Sequence, residues 1–340
     1  MGEPKTLTRK DFQSDQDVRW CPGCGDYAIL KAVQEVMPEL GVPKEKLVVV
    51  SGIGCSSRFP YYMNTFGFHT IHGRAPAIAT GLKLARPDLE VWVVTGDGDA
   101  LSIGGNHLIH ALRRNIGLKI LLFNNRIYGL TKGQYSPTSE VGKRTSSSPV
   151  GSVDPPFNPL ALALGAGASF VARSVDIFQP HLKSTLLRAA RHRGTAFIEI
   201  YQNCNIFNDG AFAYMTDKAQ RATQVLELEH GAPVAIGAGD ARRELRLDGL
   251  QLSAGSSEDD GEALVWDETD LNLASLMAHV GPPDLPTPIG VLHAHERPAF
   301  EDQMARQVAE QVEQRGGDGL DALIRAGDHW TVGPDGISDR

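Results

Sequence analysis

Two oxygen-bearing side chains, Asp97 and Asn125, stand in short polar segments that each follow an apolar run. Asp97 offers a hard carboxylate oxygen, and Asn125 offers a neutral amide oxygen. Two side-chain ligands are enough for Mg²⁺, because this ion keeps several waters and takes much of its coordination from the phosphates of a bound ligand. Gly96 and Gly98 flank Asp97 and let the backbone approach a ligand closely. The pattern predicts a site for Mg²⁺ and a phosphorylated ligand.

The four cysteines, Cys21, Cys24, Cys55 and Cys204, form a second set. The spacing of Cys21-Pro-Gly-Cys24 suits a metal or cluster, or a redox dithiol. The residues before this pair are polar and irregular, which does not match the βαβ context of a thioredoxin-like motif. Cys55 and Cys204 each follow an apolar run, so both should lie at strand ends. Spacing alone leaves structural Zn²⁺ and a [4Fe–4S] cluster equally open.

A strand–helix–strand unit must position Asp97 and Asn125. The apolar runs Val91 to Thr95 and Leu118 to Phe123 predict buried strands, and the segment from about Ile103 to Arg114 has helical spacing. A right-handed crossover brings both polar strand ends to the carboxyl edge of a parallel sheet, where ligands of open α/β folds bind. The helix that follows would offer free N–H groups to an anion. This order of motifs resembles the diphosphate-binding motif of thiamine-diphosphate (ThDP) enzymes.

The remaining periodicities predict an α/β fold with a doubly wound, mostly parallel sheet of five or six strands by about residue 205. The elements that carry this prediction are helices at Asp26 to Met37, Ala75 to Ala85, Leu160 to Gly165 and Ile177 to Arg193, and strands at Leu47 to Val50, Phe170 to Val171 and Phe197 to Tyr201. The long polar segment from Tyr128 to Pro159 is typical of a functional lid or of disorder. We divide the chain into an N-terminal arm (1–19), a cofactor-binding domain (20–225) and an extended C-terminal arm (226–340) that wraps the domain or a partner.

Composition excludes several classes of protein. The net charge of −8 argues against non-specific binding of nucleic acid. No apolar run reaches the roughly 20 residues that a membrane helix needs, and the polar N-terminal residues lack the apolar core of a secretion signal. These features predict a cytoplasmic protein that binds neither nucleic acid nor membrane.

The combined motifs resemble one family. They are Trp20-Cys-Pro-Gly-Cys-Gly-Asp26, Ile53-Gly-Cys-Ser-Ser-Arg58, His72-Gly-Arg74 and the Gly-Asp-Gly-Asp to Asn-Asn unit. Together they resemble the β subunit of 2-oxoacid:ferredoxin oxidoreductases, most closely the 2-oxoglutarate type. The resemblance covers about residues 15–230 and returns at Pro286 to Gln303.

The resemblance implies roles for individual residues. It implies that each of the four cysteines binds one iron of a [4Fe–4S] cluster. It implies that Asp97, Asn125 and the main-chain oxygen of Ile127 hold Mg²⁺. The ThDP diphosphate and thiazolium would contact Ile53, Gly54, Ser56, His72, Gly98, Asp99, Gly129 and Leu130, with Asp209 nearby. His72 and Arg58 are the candidate catalytic residues. His72 could otherwise be structural, and Arg58 could otherwise be a surface or structural arginine instead of gripping the distal carboxylate of the substrate.

The resemblance also implies an activity of the EC 1.2.7 type. This is coenzyme A-dependent oxidative decarboxylation of 2-oxoglutarate to succinyl-CoA and CO₂, reversible as reductive carboxylation. Electrons would pass through the cluster to a ferredoxin, which we expect to dock at a basic patch of Lys5, Arg9, Lys10 and Arg19. An α subunit would supply the pyrimidine-binding domain in an α2β2 heterotetramer. The alternatives are the same chemistry on pyruvate or another 2-oxoacid, a non-oxidative ThDP decarboxylase or synthase, and a scaffold that has lost activity.

Overall fold

The protein is represented by a computed structural model that describes residues 7–256, 261–316 and 319–339. Its strands are β1 (Leu47–Ser51), β2 (Phe66–His69), β3 (Glu90–Gly96), β4 (Leu118–Asn124), β5 (Phe170–Val175), β6 (Ala196–Tyr201), β7 (Val225–Leu228), β8 (Ala235–Ile236), β9 (Arg243–Asp248), β10 (Gln251–Gly255), β11 (Thr287–Ala294), β12 (Trp330–Gly333) and β13 (Gly336–Asp339). Eight of these form one sheet in the order β2-β1-β3-β4-β6-β5-β11-β7. The first six in this order are parallel, and β11 pairs antiparallel with β5 and parallel with β7.

Most helices lie in the connections between the strands of this sheet. They are α1 (Asp26–Val36), α2 (Phe59–Tyr62), α3 (Ala75–Ala85), α4 (Asp97–Leu101), α5 (Gly105–Arg114), α6 (Pro159–Gly165), α7 (Gln179–Arg191), α8 (Ala213–Thr216), α9 (Arg221–Gln224), α10 (Leu271–Met277), α11 (Phe300–Arg315) and α12 (Leu320–Ile324). Within the described parts of the chain, every helix is too short or too polar to cross a lipid bilayer.

The sheet is covered on both faces, which is why its central strands are continuous apolar runs. Alternate residues of β3 enter two separate cores: Val91 and Val93 pack with residues of α3, α5 and α6, whereas Trp92 and Val94 pack with residues of α1 and α7. Helices on both faces of a mostly parallel sheet make this a doubly wound α/β fold. The predicted fold class is therefore confirmed, and six strands precede residue 205 as expected.

The chain after residue 225 contributes to the same sheet. β7 and β11 extend it beyond β5, and β8, β9 and β10 form a separate three-stranded sheet. A first compact unit ends at Phe300, and a second begins at Glu301 and contains α12 and the β12–β13 hairpin. The proposed boundary between residues 225 and 226 stays a prediction.

Candidate cofactor and cluster site

The carboxyl ends of β3 and β4 bring Asp97 and Asn125 to one edge of the sheet, because the two strands are adjacent and parallel. Asp97 begins α4 and is buried. Its Oδ2 accepts hydrogen bonds from Ser136 Oγ at 2.5 Å and from Thr138 Oγ1 at 2.6 Å. Burial raises the pKa of Asp97 to about 6, although both hydroxyls oppose this shift. The hydroxyls are neutral donors, so a bound cation would complete the charge balance of this buried carboxylate.

Asp99 has a different role, since its oxygens hold the backbone of the loops around the site. Oδ1 accepts from the N–H groups of Ile53 at 3.2 Å and Gly73 at 2.8 Å, and Oδ2 accepts from Thr95 Oγ1 at 2.8 Å. One buried carboxylate thus fastens the loops after β1 and β2 to the end of β3. The contact of Asp99 with the cofactor stays a prediction, whereas the structure shows that this side chain shapes the pocket.

Position 98 must be a glycine because the Tyr128 ring packs closely against its backbone. A Cβ at Gly98 would overlap the Tyr128 ring, whose hydroxyl donates a hydrogen bond to the carbonyl oxygen of Gly98 at 3.1 Å. This contact brings the segment after β4 against the turn after β3. The two strand ends therefore form one continuous wall.

Most of the residues predicted to bind the cofactor or magnesium line one pocket at this edge of the sheet. Its lining includes Ile53, Gly54, Ser56, His72, Asp97, Gly98, Asp99, Asn125, Ile127, Gly129 and Leu130. The His72 side chain is 67% exposed, and its Nδ1 lies 3.8 Å from Asp99 Oδ1. Asp209 is not brought to this pocket: it is exposed and accepts a hydrogen bond from Asn203 Nδ2 at 2.9 Å.

The four cysteines line a second pocket. They are Cys21, Cys24, Cys55 and Cys204. A Cβ on Gly129 would stand 3.5 Å from Cys204 Sγ and 3.6 Å from Cys55 Sγ, so the missing side chain leaves a space between two thiols. Burial raises the pKa of the Cys24 thiol, and it raises the pKa of Cys55 to about 12. Such thiols become thiolates when a metal binds them.

The four thiols share a pocket lining, but among the described residues no three His, Cys, Asp or Glu side chains are close enough together to hold a single metal ion.

Short contacts fix the loops that carry the cysteines. Trp20 Nε1 donates to the carbonyl oxygen of Cys55 at 2.6 Å. Asn205 Nδ2 donates to the carbonyl oxygen of Pro22 at 2.7 Å and so joins the Cys204 loop to the Cys-Pro-Gly-Cys turn. Cross-links of this kind hold cysteines from three distant parts of the sequence around one space.

The cofactor pocket and the cysteine pocket share a wall. Five residues line both: Asp26, Cys55, Asn125, Gly129 and Leu130. The Asp26 carboxyl is buried, its Oδ2 has no hydrogen-bond partner among the described residues, and burial raises its pKa to about 7. Sequence reasoning did not select Asp26 as a site residue, although it follows the cysteine motif directly and begins α1.

Arg58 lies where the cysteine pocket meets a third pocket. This third pocket shares Ile53, Gly54 and Leu130 with the cofactor pocket, and it also includes His69. Arg58 is half-buried, and its guanidinium forms no hydrogen bond or ion pair with a side chain of the described residues. A cationic group is thus available beside the cofactor pocket.

Comparison with known proteins identifies the family. The chain is 53% identical over 329 residues to "2-oxoglutarate oxidoreductase subunit KorB" of Mycobacterium tuberculosis, a match that spans 95% of this chain and 88% of that protein. The chain belongs to the β-subunit family of 2-oxoacid:ferredoxin oxidoreductases. The resemblance read from its motifs is confirmed, and this β subunit is part of an oxidoreductase.

Two further comparisons support the assignment and the fold. The β subunit is 46% identical over 186 residues to "2-oxoglutarate synthase subunit KorB" of Archaeoglobus fulgidus, across 54% of this chain and 69% of that protein. It is similar to a solved structure described as 2-oxoglutarate:ferredoxin oxidoreductase from Magnetococcus marinus with 2-oxoglutarate, coenzyme A and succinyl-CoA bound. The TM-score is 0.78 at 33% identity, over 96% of this chain and 98% of that one. Residues 52–200 match the family described as thiamine pyrophosphate enzyme, C-terminal TPP binding domain, so ThDP is the cofactor class.

The site of the β subunit contains residues that its sequence did not reveal. Ser136 and Thr138 contact Asp97 from the long segment after β4, Tyr128 packs on Gly98, and Trp20 holds the Cys55 loop. Two weak signals were available, since Trp20 adjoins the cysteine motif and the long segment is rich in Ser and Thr. Neither signal specifies which hydroxyl reaches which carboxylate.

Proposed function

We propose that this chain is the β subunit of a 2-oxoglutarate:ferredoxin oxidoreductase that forms succinyl-CoA and CO₂ and also works in the reverse direction. The observation that carries the proposal is the shared wall between the cofactor pocket and the cysteine pocket. Electrons released at a cofactor in the first pocket would have only this wall to cross to reach a cluster in the second. Cys55 belongs to both pockets and shortens that path.

The cofactor pocket fits Mg²⁺ and the ThDP diphosphate. Asp97, Asn125 and the main-chain oxygen of Ile127 would hold Mg²⁺, which prefers a few oxygen ligands and the phosphates of its partner. When bound, ThDP supplies the carbon nucleophile that makes decarboxylation of a 2-oxoacid possible. The chain's own contribution is to fix that group: Asp99 holds two loops in place, and Tyr128 holds the turn at Gly98.

The cysteine pocket fits a [4Fe–4S] cluster. Four thiols line it, and the glycine at 129 leaves space between two of them. Zn²⁺ is the metal that a non-oxidative ThDP enzyme would hold there, and the similarity to proteins named 2-oxoacid:ferredoxin oxidoreductase supports the cluster instead. The cluster would take electrons one at a time and pass them to a ferredoxin.

Arg58 is the group in this chain that would recognise 2-oxoglutarate. The distal carboxylate of this substrate is absent from pyruvate, and a guanidinium can grip it with two parallel hydrogen bonds. The free guanidinium beside the cofactor pocket supports this role. The relatives named for 2-oxoglutarate support the same substrate. His72 lines the cofactor pocket and is the second candidate catalytic residue.

A second subunit would complete the active site. The "subunit" in the names of the relatives supports an α partner, and ThDP needs a further domain to hold its pyrimidine. We place this β subunit in an α2β2 heterotetramer in the cytoplasm. Coenzyme A would be the acyl acceptor of this complex, which the coenzyme A bound in the Magnetococcus enzyme supports.

A single preparation tests the proposal. The chain is co-expressed with its α subunit and purified without oxygen. Iron, sulfide and ThDP are then measured, together with coenzyme A-dependent viologen reduction on a panel of 2-oxoacids. We expect about four irons per β chain and the highest rate with 2-oxoglutarate. A colourless enzyme that releases CO₂ without coenzyme A would contradict the proposal and favour the non-oxidative decarboxylase.

Two variants separate the two pockets. Asp97→Asn should lose ThDP and keep its iron, because Asp97 lines only the cofactor pocket. Cys204→Ser should lose iron or keep a three-iron cluster, while ThDP content stays near normal. Equal loss of both groups in each variant would show general unfolding and would reject the assignment of residues.

A further inference from the structure

Gln202 lies beneath the cysteine pocket, immediately after β6. Its side chain is 1% exposed, and its Nε2 stands 3.2 Å from Cys24 Sγ and 2.6 Å from the carbonyl oxygen of Asn203. Its main-chain N–H donates to the carbonyl oxygen of Asn124 at 3.0 Å, so the sheet fixes its backbone.

The two neighbours of the amide determine its orientation. A sulfur and a carbonyl oxygen both accept hydrogen bonds, and only the nitrogen end of a glutamine amide can donate two. The opposite end, Oε1, is buried without a hydrogen-bond partner among the described residues. A buried amide oxygen without a partner costs free energy, which indicates that the directed N–H has a use.

We propose that Gln202 is a positioning residue that sets the reduction potential of the cluster through an N–H···S hydrogen bond to Cys24. The inference rests on the proposed function, in which Cys24 binds one iron. Reduction adds negative charge to a cluster and its thiolates, and a donor aimed at a sulfur stabilises that charge. Gln202 therefore makes the cluster easier to reduce by the cofactor. The main-chain N–H of Asp26 is a further donor to Cys24, and side-chain variants leave it unchanged.

Two substitutions remove the hydrogen bond in different ways. Gln202→Met keeps the length of the side chain and has no donor, and Gln202→Asn keeps an amide that is too short to reach the sulfur. In the purified complex with its α subunit, we expect normal iron content and a lower midpoint potential of the cluster. Electron paramagnetic resonance during a redox titration measures this potential. The ratio of reduced to oxidised cluster at a fixed potential should fall about tenfold, which is about 59 mV for a one-electron couple.

Gln34→Met is the matched control. Gln34 is also a buried glutamine, and its Nε2 donates to the carbonyl oxygen of Tyr62 at 3.1 Å, but it lines neither the cysteine pocket nor the cofactor pocket. We expect its midpoint potential to equal that of the wild type. An intact cluster with an unchanged potential in both Gln202 variants would overturn the inference and leave the proposed function standing, as would an equal shift in Gln34→Met. A wild-type complex without iron would overturn both.

Discussion

At the scale of single residues, Arg58 has two candidate roles, which are recognition of the substrate and support of the proposed cluster. It lines both the cysteine pocket and the pocket beside the cofactor, so either use is compatible with its position. Its guanidinium has no side-chain partner among the described residues, which argues against a purely structural ion pair. A substrate carboxylate would supply the missing partner.

Arg58→Met should discriminate between diacid and monoacid substrates. Loss of a buried charge-assisted contact costs about 2–5 kcal/mol. We therefore expect kcat/KM for 2-oxoglutarate to fall at least about tenfold relative to 2-oxobutyrate. Steady-state kinetics of the complex with both substrates measures this ratio. A parallel fall for both substrates would assign Arg58 to the cluster or to structure, and specificity to the α subunit.

Gly129 is a second position where one residue matters, because any side chain there points between Cys55 and Cys204. The apoprotein has room for a methyl group, but a cluster would occupy the same space. We expect Gly129→Leu to fold normally and to bind less than about a third of the wild-type iron, with a smaller loss in Gly129→Ala. Iron analysis and thermal unfolding measure the two quantities.

Gly105→Ala provides the control for this series. Gly105 begins α5, and a Cβ there would meet nothing within 4 Å. Its iron content should equal that of the wild type. Full iron occupancy in Gly129→Leu would show that the cluster does not fill the space between these two thiols.

At the scale of elements, a chain of polar contacts connects the sheet to the predicted magnesium site. Arg173 Nε on β5 lies 2.7 Å from Glu199 Oε2 on β6, and Asn124 Nδ2 at the end of β4 donates to Glu199 Oε1 at 2.7 Å. Thr138 Oγ1 then lies 2.9 Å from Asn124 Oδ1 and 2.6 Å from Asp97 Oδ2. The buried ion pair thus orients the groups that contact the predicted metal ligand.

Glu199→Gln should weaken both the fold and the binding of the cofactor. It leaves the Arg173 guanidinium buried without a counter-charge, which costs about 3–5 kcal/mol. Denaturant unfolding should show this loss, and calorimetry should show weaker Mg²⁺-dependent binding of ThDP to the folded variant. Glu35→Gln removes a half-buried partner of the exposed Lys31 and should change stability by less than about 1 kcal/mol. Equal effects of the two substitutions would contradict the role of the buried pair.

The elements that sequence reasoning found are those with continuous apolar runs. β1, β3, β4 and β6 are buried on both faces, so their composition alone identifies them. β9 was missed because only Leu245 among its residues is buried, and its charged neighbours indicate a solvated loop. β11 was noticed only as part of the stretch where the family resemblance returns, at Pro286 to Gln303. Its pairing with β5 bridges more than a hundred residues of sequence, which local patterns do not encode.

The same limit applies to the site. Motifs at strand ends predicted which residues gather at the carboxyl edge, because the direction of parallel strands fixes that edge. The contacts of Ser136 and Thr138 with Asp97 span 39 and 41 positions and depend on the path of an irregular loop. Asp209, which the resemblance placed near the cofactor, lies outside the pocket lining, so its role stays a prediction.

The whole molecule is acidic, yet cations surround the cysteine pocket. The net charge is −8, whereas Arg19, Arg58 and Lys132 all line this pocket. Arg19 also belongs to the basic patch expected from the sequence, and Lys5 of that patch lies outside the described residues, so docking at Lys5, Arg9, Lys10 and Arg19 stays a prediction. An acidic ferredoxin would be attracted locally in spite of the overall repulsion.

Lys132→Glu should slow electron transfer to ferredoxin without changing viologen reduction. We expect the ferredoxin-linked rate at low ionic strength to fall about threefold to tenfold and to lose part of its salt dependence. Lys44→Glu makes the same change in net charge just before β1, at the opposite edge of the sheet. Equal slowing by both variants would mean that net charge, and not a local docking surface, governs the encounter.

The wall shared by the two pockets means that a cluster and a cofactor would have the loop of Cys55 in common. Trp20 holds this loop at Cys55, and Asp99 holds it at Ile53, so the loop is preorganised for both groups. Each group could then be loaded without the other. A cell short of iron would therefore accumulate a β subunit that keeps its vitamin-derived cofactor but cannot pass electrons on.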